Sequence, residues 1–352
     1  MTDYAKIMKR CIKLAQKGAG KTSPNPMVGC VVMNKYDKII SEGYHHKYGE
    51  NHAEKDALLK LKNGEDADGT LVVNLEPCSH YGKTPPCADL IIEHKIKRVI
   101  IGCRDTNPKV NGNGIAMLKN AGIEVICGVL HDECRKLNEI FFTNIEEKRI
   151  YTALKTAVTL DGKIAAAGGN SKWITSDKSR NLAKSLRNKY DAVLTSSQTV
   201  ILDNPKMCHK MKIVLDRTLK TNPNADIYKT GHVFIAIDEN MEINEDEWRS
   251  NIEFIKCKIV NSQIDLRDLL SKLYQKGVFS IFVECGGKLS GSFVKYNLVD
   301  KIYQFIAPKI LNDNSGRSCF DGDCSKLISD CKNFKVSSLK MSGEDIFIEY
   351  SK

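Results

Sequence analysis

Residues 76–87 read Glu-Pro-Cys-Ser-His-Tyr-Gly-Lys-Thr-Pro-Pro-Cys, and their setting decides the fold of the first half of the chain. The apolar run Thr70–Leu75 before them reads as a strand, and Cys87–His94 after them reads as a helix. Upstream, His52-Ala53-Glu54 lies at the start of another helical stretch, Asn51–Lys62. One imidazole and two thiolates give three zinc ligands and leave the fourth position to water, as a catalytic zinc requires. Zinc so held brings its water close to ionisation at neutral pH. Glu54, two residues from His52, can sit beside the metal without ligating it and carry protons. His52, Cys78 and Cys87 are therefore the predicted ligands of one zinc per chain, and Glu54 the predicted acid–base group.

Around this core, strands alternate with helices. Residues 4–17 have helical spacing that Gly18 and Gly20 stop, Val28–Met33 is a strand, and Lys97–Cys103 is another. Ile115–Ala121 is helical, Glu124–Gly128 is a strand, and a helix runs from about Asp132 to Phe142. The charged Glu146–Arg149 segment then marks a seam, giving expected domains at 1–147 and 148–352. Beyond it the alternation resumes with strands at Tyr151–Val158, Ala192–Thr195, Lys212–Leu215, His232–Ile237, Ile252–Ile259, Val278–Glu284, Lys301–Ala307 and Asp345–Tyr350. Helices fall at Asp177–Arg187, near Leu266–Gln275 and after Gly286. The fold class is α/β in both halves.

Composition bounds the function. The chain has 352 residues, enough for two domains of about 100–200 residues. Hydrophobic residues at 42% and charged residues at 27% are ordinary for a folded protein and argue against long disorder. The net charge of +10 suits nucleic acid, an anionic membrane surface or phosphorylated small molecules, or simply a solvated lysine-rich surface. The N-terminal residues lack a signal-peptide core, no apolar run approaches membrane length, and the thirteen cysteines cannot all pair. A reducing, cytoplasmic setting is expected.

Nucleobase deaminases carry H-x-E followed by P-C-x-x-C, with the glutamate shuttling protons. Here eight residues, not two, separate Cys78 from Cys87. That longer insert, with Ser23-Pro24-Asn25-Pro26-Met27-Val28-Gly29, Gly43-Tyr44-His45-His46, Arg104-Asp105-Thr106-Asn107-Pro108 and Gly112-Asn113-Gly114, resembles the deaminase half of the bifunctional riboflavin-biosynthesis deaminase–reductases. The resemblance covers about the first 145 residues. It implies a cytidine-deaminase-like α/β/α sandwich that deaminates 2,5-diamino-6-ribosylamino-4(3H)-pyrimidinone 5′-phosphate at ring carbon 2. It also implies substrate contacts at Asn25, His80 and Lys83. The bland roles of these three are a turn-former between prolines and an exposed loop. His45 and His46 are read as substrate-facing or structural, since three ligands are already supplied.

The second half carries Lys155-Thr156-Ala157-Val158-Thr159-Leu160-Asp161-Gly162-Lys163, Ser171-Lys172-Trp173, Ser196-Ser197-Gln198-Thr199 through Asp203-Asn204-Pro205, and Glu284-Cys285-Gly286-Gly287. These are similar to the reductase half of the same family, of dihydrofolate-reductase-like α/β fold, over about residues 150–350. The resemblance implies NADPH as cofactor and reduction of a ribosylamino to a ribitylamino group, with the hydride going to C1′ of the open-chain imine. It places Ala157, Trp173, Thr199, Asp203 and the turn Gly286, Gly287, Lys288, Leu289, Ser290, Gly291 and Ser292 at the cofactor. Taken alone, that turn is either a phosphate cradle or a plain helix cap. Lys155, Ser171, Arg187, Met207, Lys210 and Glu284 are placed at the substrate. Arg187 offers a fork for a phosphate, and Trp173 a flat apolar face, although a lone Trp is by default a packing residue. Lys210 stands where the family pattern has Arg, keeping the charge but losing the fork, so Lys206 or His209 could contribute instead. Arg217 or Thr218 is a further candidate for the cofactor's phosphate.

Two rival classes fit the sequence less well. A nucleic-acid-editing deaminase would want basic runs interleaved with aromatics, and none is present. A purely structural zinc module has no use for Glu54. The expected partner is a small phosphorylated pyrimidine, without nucleic acid or membrane, on a chain expected to be a homo-oligomer.

Overall fold

The computed structural model describes all residues except 1, 63, 80–84, 109 and 323–326. Its contacts divide the chain into two units, Met1–Lys148 and Arg149–Lys352.

In the first unit the elements are α1 (Tyr4–Ala15), β1 (Gly29–Met33), β2 (Ile39–Tyr44), α2 (Ala53–Leu58), β3 (Thr70–Leu75), α3 (Cys87–Glu93), β4 (Arg98–Cys103), α4 (Asn113–Asn120), β5 (Glu124–Cys127), α5 (His131–Leu137) and α6 (Glu139–Glu147). The sheet order is β2-β1-β3-β4-β5. Strand β1 is antiparallel to both β2 and β3, while β3, β4 and β5 are parallel. Strand alternation sorts the core into two layers. Cys30, Val32, Leu71, Val73, Val99 and Ile101 pack under α2, α3 and α4 through Ala57, Ile91 and Leu118. Val31, Met33, Val72, Ile100 and Cys103 face α1, α5 and α6 through Met8, Cys134 and Phe142. The sheet is thus covered on both sides, which is why β3 and β4 read as unbroken apolar runs.

Some boundaries differ from those expected. The helix read as Asn51–Lys62 spans only Ala53–Leu58, and strand Ile39–Tyr44 carried no clear apolar signal. The expected helix over about 132–142 is two, broken at Asn138. The Asn138 side chain accepts from Met27 N–H at 2.8 Å and donates to Met27 O at 2.9 Å, standing in for a strand neighbour. Asparagine competes with helix hydrogen bonding for this reason.

The second unit comprises β6 (Tyr151–Val158), β7 (Lys163–Ala165), α7 (Asp177–Arg187), β8 (Ala192–Ser196), α8 (Ser197–Asp203), β9 (Met211–Leu215), β10 (His232–Asp238), β11 (Ile252–Cys257), β12 (Ile259–Val260), β13 (Gln263–Ile264), α9 (Leu266–Gln275), β14 (Ser280–Val283), α10 (Gly287–Lys295), β15 (Lys301–Ile306), β16 (Arg317–Ser318), β17 (Lys335–Ser342) and β18 (Asp345–Ser351). Its main sheet runs β11-β10-β9-β8-β14-β6-β15-β18-β17. Seven strands are parallel, and β18 and β17 add antiparallel at one edge. Leu154, Leu194, Ile213, Val283 and Ile302 bury one face with Leu269 and Phe293 of α9 and α10. Helix α8 and edge strand β17 went unread in the sequence; β17 is largely exposed and lacks a buried alternation. No helix among the described residues is long and apolar enough to cross a membrane.

Candidate active sites

In the first unit, the predicted metal ligands meet. His52 is the N-cap of α2, in extended conformation, and Cys87 opens α3. His52 Nδ1 lies 3.5 Å from both Cys78 Sγ and Cys87 Sγ, and all three ligand atoms fall within 4.8 Å of one another. Tetrahedral zinc with bonds of about 2.0–2.3 Å separates its ligand atoms by about 3.5 Å, so this set fits the ion. Among the described residues no other group of this kind forms.

The electrostatics suit a cation. A hydrogen bond from the Cys87 thiol, together with the Cys87 N–H at 3.3 Å and His52, pulls Cys78 down to about 4. The same bond and burial push Cys87 well up. His52 is drawn up to about 8 by Cys78. The protons left on His52 and Cys87 are those a zinc ion would displace. Glu54, in the first turn of α2, is 3% exposed, and burial lifts its carboxyl to about 7. It hydrogen-bonds the Cys87 thiol yet is not one of the three ligands.

Neither His45 nor His46 joins the ligand set. His46 stacks on Tyr44 and pairs with Asp56 at 3.2 Å. His45 is buried, which lowers its pKa and keeps the ring neutral. Its Nδ1 faces Asn51 O at 2.9 Å, so Nδ1 carries the proton and Nε2 accepts from Asn25 Nδ2 at 3.3 Å. The His45 ring edge meets the His52 ring at 5.5 Å between centroids. Asn25 is thereby aimed from beside the metal ligands. Its loop is pinned by two residues the sequence reading missed. Besides Asn138, Asn74 donates to Met27 O at 3.0 Å and accepts from Gly29 N–H at 2.7 Å. An Asn inside the apolar run of β3 was the available signal. His80 and Lys83 lie outside the described residues.

In the second unit, Arg187 ends α7 and Glu284 follows β14. Arg187 Nε and Nη2 hold the Glu284 carboxylate at 2.5 and 2.9 Å. Two of the guanidinium nitrogens expected to be open to a phosphate are thus engaged by Glu284. Burial alone would raise the Glu284 carboxyl, but Arg187 and Lys155 bring it below its usual value. Lys155, Arg187 and Glu284 therefore form one charged cluster. Lys155 and Ala157 alternate onto the same half-buried face of β6. Met207 is buried with positive φ, and Lys210 is exposed just before β9. His209 is engaged with Met211 O at 2.8 Å and Tyr190 O at 3.1 Å, so it anchors the loop and is not the free substitute for Lys210 that the sequence allowed.

Trp173 is 63% exposed, which removes the packing role. The Arg180 guanidinium lies 4.4 Å from its ring centroid, and Lys309 Nζ holds its carbonyl at 3.0 Å. Ser171, half-buried, lies in the same loop. Lys172 next to Trp173 pairs with Asp203 at 3.4 Å, and Thr199 joins Ser196 through the α8 cap.

A cavity of about 390 Å³ lies among Ser196, Ser197, Leu215, Arg217, Thr218, Lys220, Val260, Ile264, Arg267, Lys288, Leu289 and Ser292. Four cations, Arg217, Lys220, Arg267 and Lys288, outnumber the one lining carboxylate, Asp265, and with the apolar side chains suit the phosphates of a nucleotide such as NADPH. Of the Gly286–Ser292 turn, Lys288, Leu289 and Ser292 line this cavity, whereas Ser290 is buried against Cys285. A Cβ on Gly287 would stand 2.1 Å from Ser318 O, and one on Gly291 1.9 Å from Asp321 O. Those two glycines admit a crossing backbone segment; Gly286 alone faces open space.

An α/β/α unit with a one-His, two-Cys site and a buried glutamate defines the cytidine-deaminase class of zinc enzymes, here joined to a second α/β unit with a cationic cavity. Residues 1–103 match the model of the cytidine and deoxycytidylate deaminase zinc-binding region, and residues 150–348 that of the RibD C-terminal domain. The chain is 39% identical to riboflavin biosynthesis protein RibD of Actinobacillus pleuropneumoniae, covering 99% of this chain and 95% of that one. It is 40% identical to the same-named protein of Aquifex aeolicus, over 98% and 97%. A diaminohydroxyphosphoribosylaminopyrimidine deaminase/5-amino-6-(5-phosphoribosylamino)uracil reductase from Thermotoga maritima superposes with TM-score 0.86 at 38% identity, covering 99% and 98%. Acinetobacter baumannii RibD gives TM-score 0.88 at 32% identity, over 99% and 98%. The chain belongs to the RibD family of bifunctional riboflavin-biosynthesis deaminase–reductases.

Proposed function

We propose that this chain deaminates 2,5-diamino-6-ribosylamino-4(3H)-pyrimidinone 5′-phosphate in its first unit and reduces 5-amino-6-(5-phosphoribosylamino)uracil with NADPH in its second. The observation that carries the first step is buried Glu54 beside His52, Cys78 and Cys87. These three residues would hold zinc, which supplies a water that is acidic near neutral pH. Glu54, buried beside the three ligands without being one of them, could take a proton from that water and return it to the substrate. With zinc bound, hydrolysis would replace the exocyclic nitrogen on ring carbon 2 by oxygen, and ammonia would leave with the proton that Glu54 returns. Asn25, oriented by His45, offers its amide to the pyrimidine edge.

In the second unit Arg217, Lys220, Arg267 and Lys288 would hold the phosphates of NADPH, which supplies the hydride. Lys155, with Arg187 and Glu284, presents a charged, hydrogen-bonding surface to the phosphorylated sugar. Ser171, Trp173, Met207 and Lys210 border that region by resemblance. None of the twelve described cysteines is in a disulfide, which fits the cytoplasmic setting proposed here, and a homo-oligomer is part of the same proposal. The full chain, given zinc, should release ammonia from the pyrimidine substrate and then oxidise NADPH. NADPH left unoxidised in the presence of authentic deaminated substrate overturns the second half; light scattering at one chain mass overturns the oligomer.

A further inference from the structure

The block Arg104–Asn107 and Gly112–Gly114 follows β4. It spans the connection from β4 and the first two residues of α4. Parallel strands β3 and β4 end side by side, with Leu75 opposite Cys103 and Glu76 N–H bonded to Cys103 O at 3.0 Å. The chain therefore leaves one sheet edge twice, once into Glu76-Pro77-Cys78 and once into this loop. Ligands of open α/β sheets bind off that carboxyl edge.

Glu76 joins the two exits. It is 3% exposed. Its Oε2 accepts from Asp105 N–H at 3.3 Å and Gly112 N–H at 3.1 Å, and its Oε1 from Ile115 N–H at 3.2 Å. One buried carboxylate thus gathers the start of the loop, its end and the first turn of α4. On the other side Gly114 presses on the chain just before the metal ligand: a Cβ there would stand 2.2 Å from Pro77 O. The loop cannot shift without disturbing either these bonds or that contact.

We propose that Glu76 is a positioning residue for the deamination, fixing the described residues of the β4–α4 connection, 104–108 and 110–112, and the start of α4 as a wall of the substrate cleft beside Cys78. The proposal rests on the deaminase reading above. In Glu76→Gln one oxygen becomes an NH₂ facing backbone N–H donors, so part of the clamp is lost while volume is kept.

The test uses the full-length zinc-loaded chain and the pyrimidine substrate. Glu76→Gln should raise the deaminase KM by about tenfold, the scale of one charge-assisted hydrogen bond. The kcat should change less than about twofold in the same comparison, with one zinc per chain and an unchanged reductase. Hydrogen exchange should quicken at Asp105, Gly112 and Ile115. Gly114→Ala, which pushes the same loop off Pro77 with Glu76 intact, should raise KM likewise and covers the case in which Glu76→Gln does not fold. Wild-type KM in both variants overturns the proposal, as does a loss of zinc and kcat at unchanged KM, which would make Glu76 a support of the metal site. If the wild-type chain releases no ammonia, the deaminase reading itself fails.

Discussion

Arg187 and Glu284 are joined through two nitrogens and both carboxylate oxygens, with side chains only 17% and 11% exposed. Such a pair has an asymmetric energetic role: removing one partner strands a buried charge. Arg187→Ala should destabilise the second unit by about 3–5 kcal/mol. Removing both charges with apolar residues of similar size should cost less. Urea unfolding of the single and double variants measures this, and additive losses would show that the pair is not coupled. Because Glu284 titrates below its usual value in the folded chain, its contribution is present above the usual glutamate pKa and is lost as pH falls through the lowered one. The wild type should therefore lose more stability on acidification than the double variant. In enzyme assays Arg187→Ala should raise the reductase KM for the sugar-phosphate substrate and leave deamination intact.

Glu54→Gln keeps the shape of the side chain and removes its capacity to carry a proton. Deamination should fall by about 10²–10⁴. Zinc content should stay at that of the wild type, since Glu54 is not among the ligands. NADPH oxidation with authentic reductase substrate should be unaffected. Ammonia release near the wild-type rate would remove Glu54 from the mechanism.

The parts of these sites legible in the sequence were those set by local spacing. His52-x-Glu54, the end of β3 and the start of α3 fixed where the metal ligands fall, because helix and strand termini carry side chains in known directions. What was hidden depends on partners far along the chain. Asn138 looked like one more helical position, and only its reach to Met27, 111 residues away, makes it a helix break and an anchor for the Asn25 loop. Arg187 looked free to grip a phosphate until Glu284, 97 residues on, took its fork. Strand β17 at the sheet edge has exposed apolar residues, Val336, Leu339 and Met341, among lysines and serines, a pattern with no period to read.

Arg217 stands two residues beyond the end of β9, after Asp216, and it lines the cationic cavity. If that cavity takes the extra phosphate that distinguishes NADPH from NADH, Arg217→Ala should raise the KM for NADPH by about tenfold or more, the worth of a charge-assisted hydrogen bond. The KM for NADH should barely move. Lys220→Ala should act in the same direction but more weakly, because an ammonium lacks the guanidinium fork. Equal losses with both nucleotides would place the adenosine phosphate elsewhere.

The glycines of the β14–α10 turn divide by what a methyl group would meet. Gly286 has an ordinary negative φ of −76° and nothing within 4 Å of an added Cβ, so Gly286→Ala should leave the melting temperature nearly unchanged. Gly291 lies inside α10, where alanine is the better helix former by about 1 kcal/mol. Yet its Cβ would stand 1.9 Å from the backbone oxygen of Asp321, and backbone cannot step aside as a flexible side chain can. Forcing the two segments apart should cost about 1–3 kcal/mol, more than the gain in propensity. It should also shift Lys288, Leu289 and Ser292 at the cavity wall and weaken NADPH binding. Gly291→Ala should therefore lower both the melting temperature and NADPH affinity, measured by thermal unfolding and nucleotide titration. A stabilised Gly291→Ala chain would mean that helix propensity outweighs the contact with Asp321.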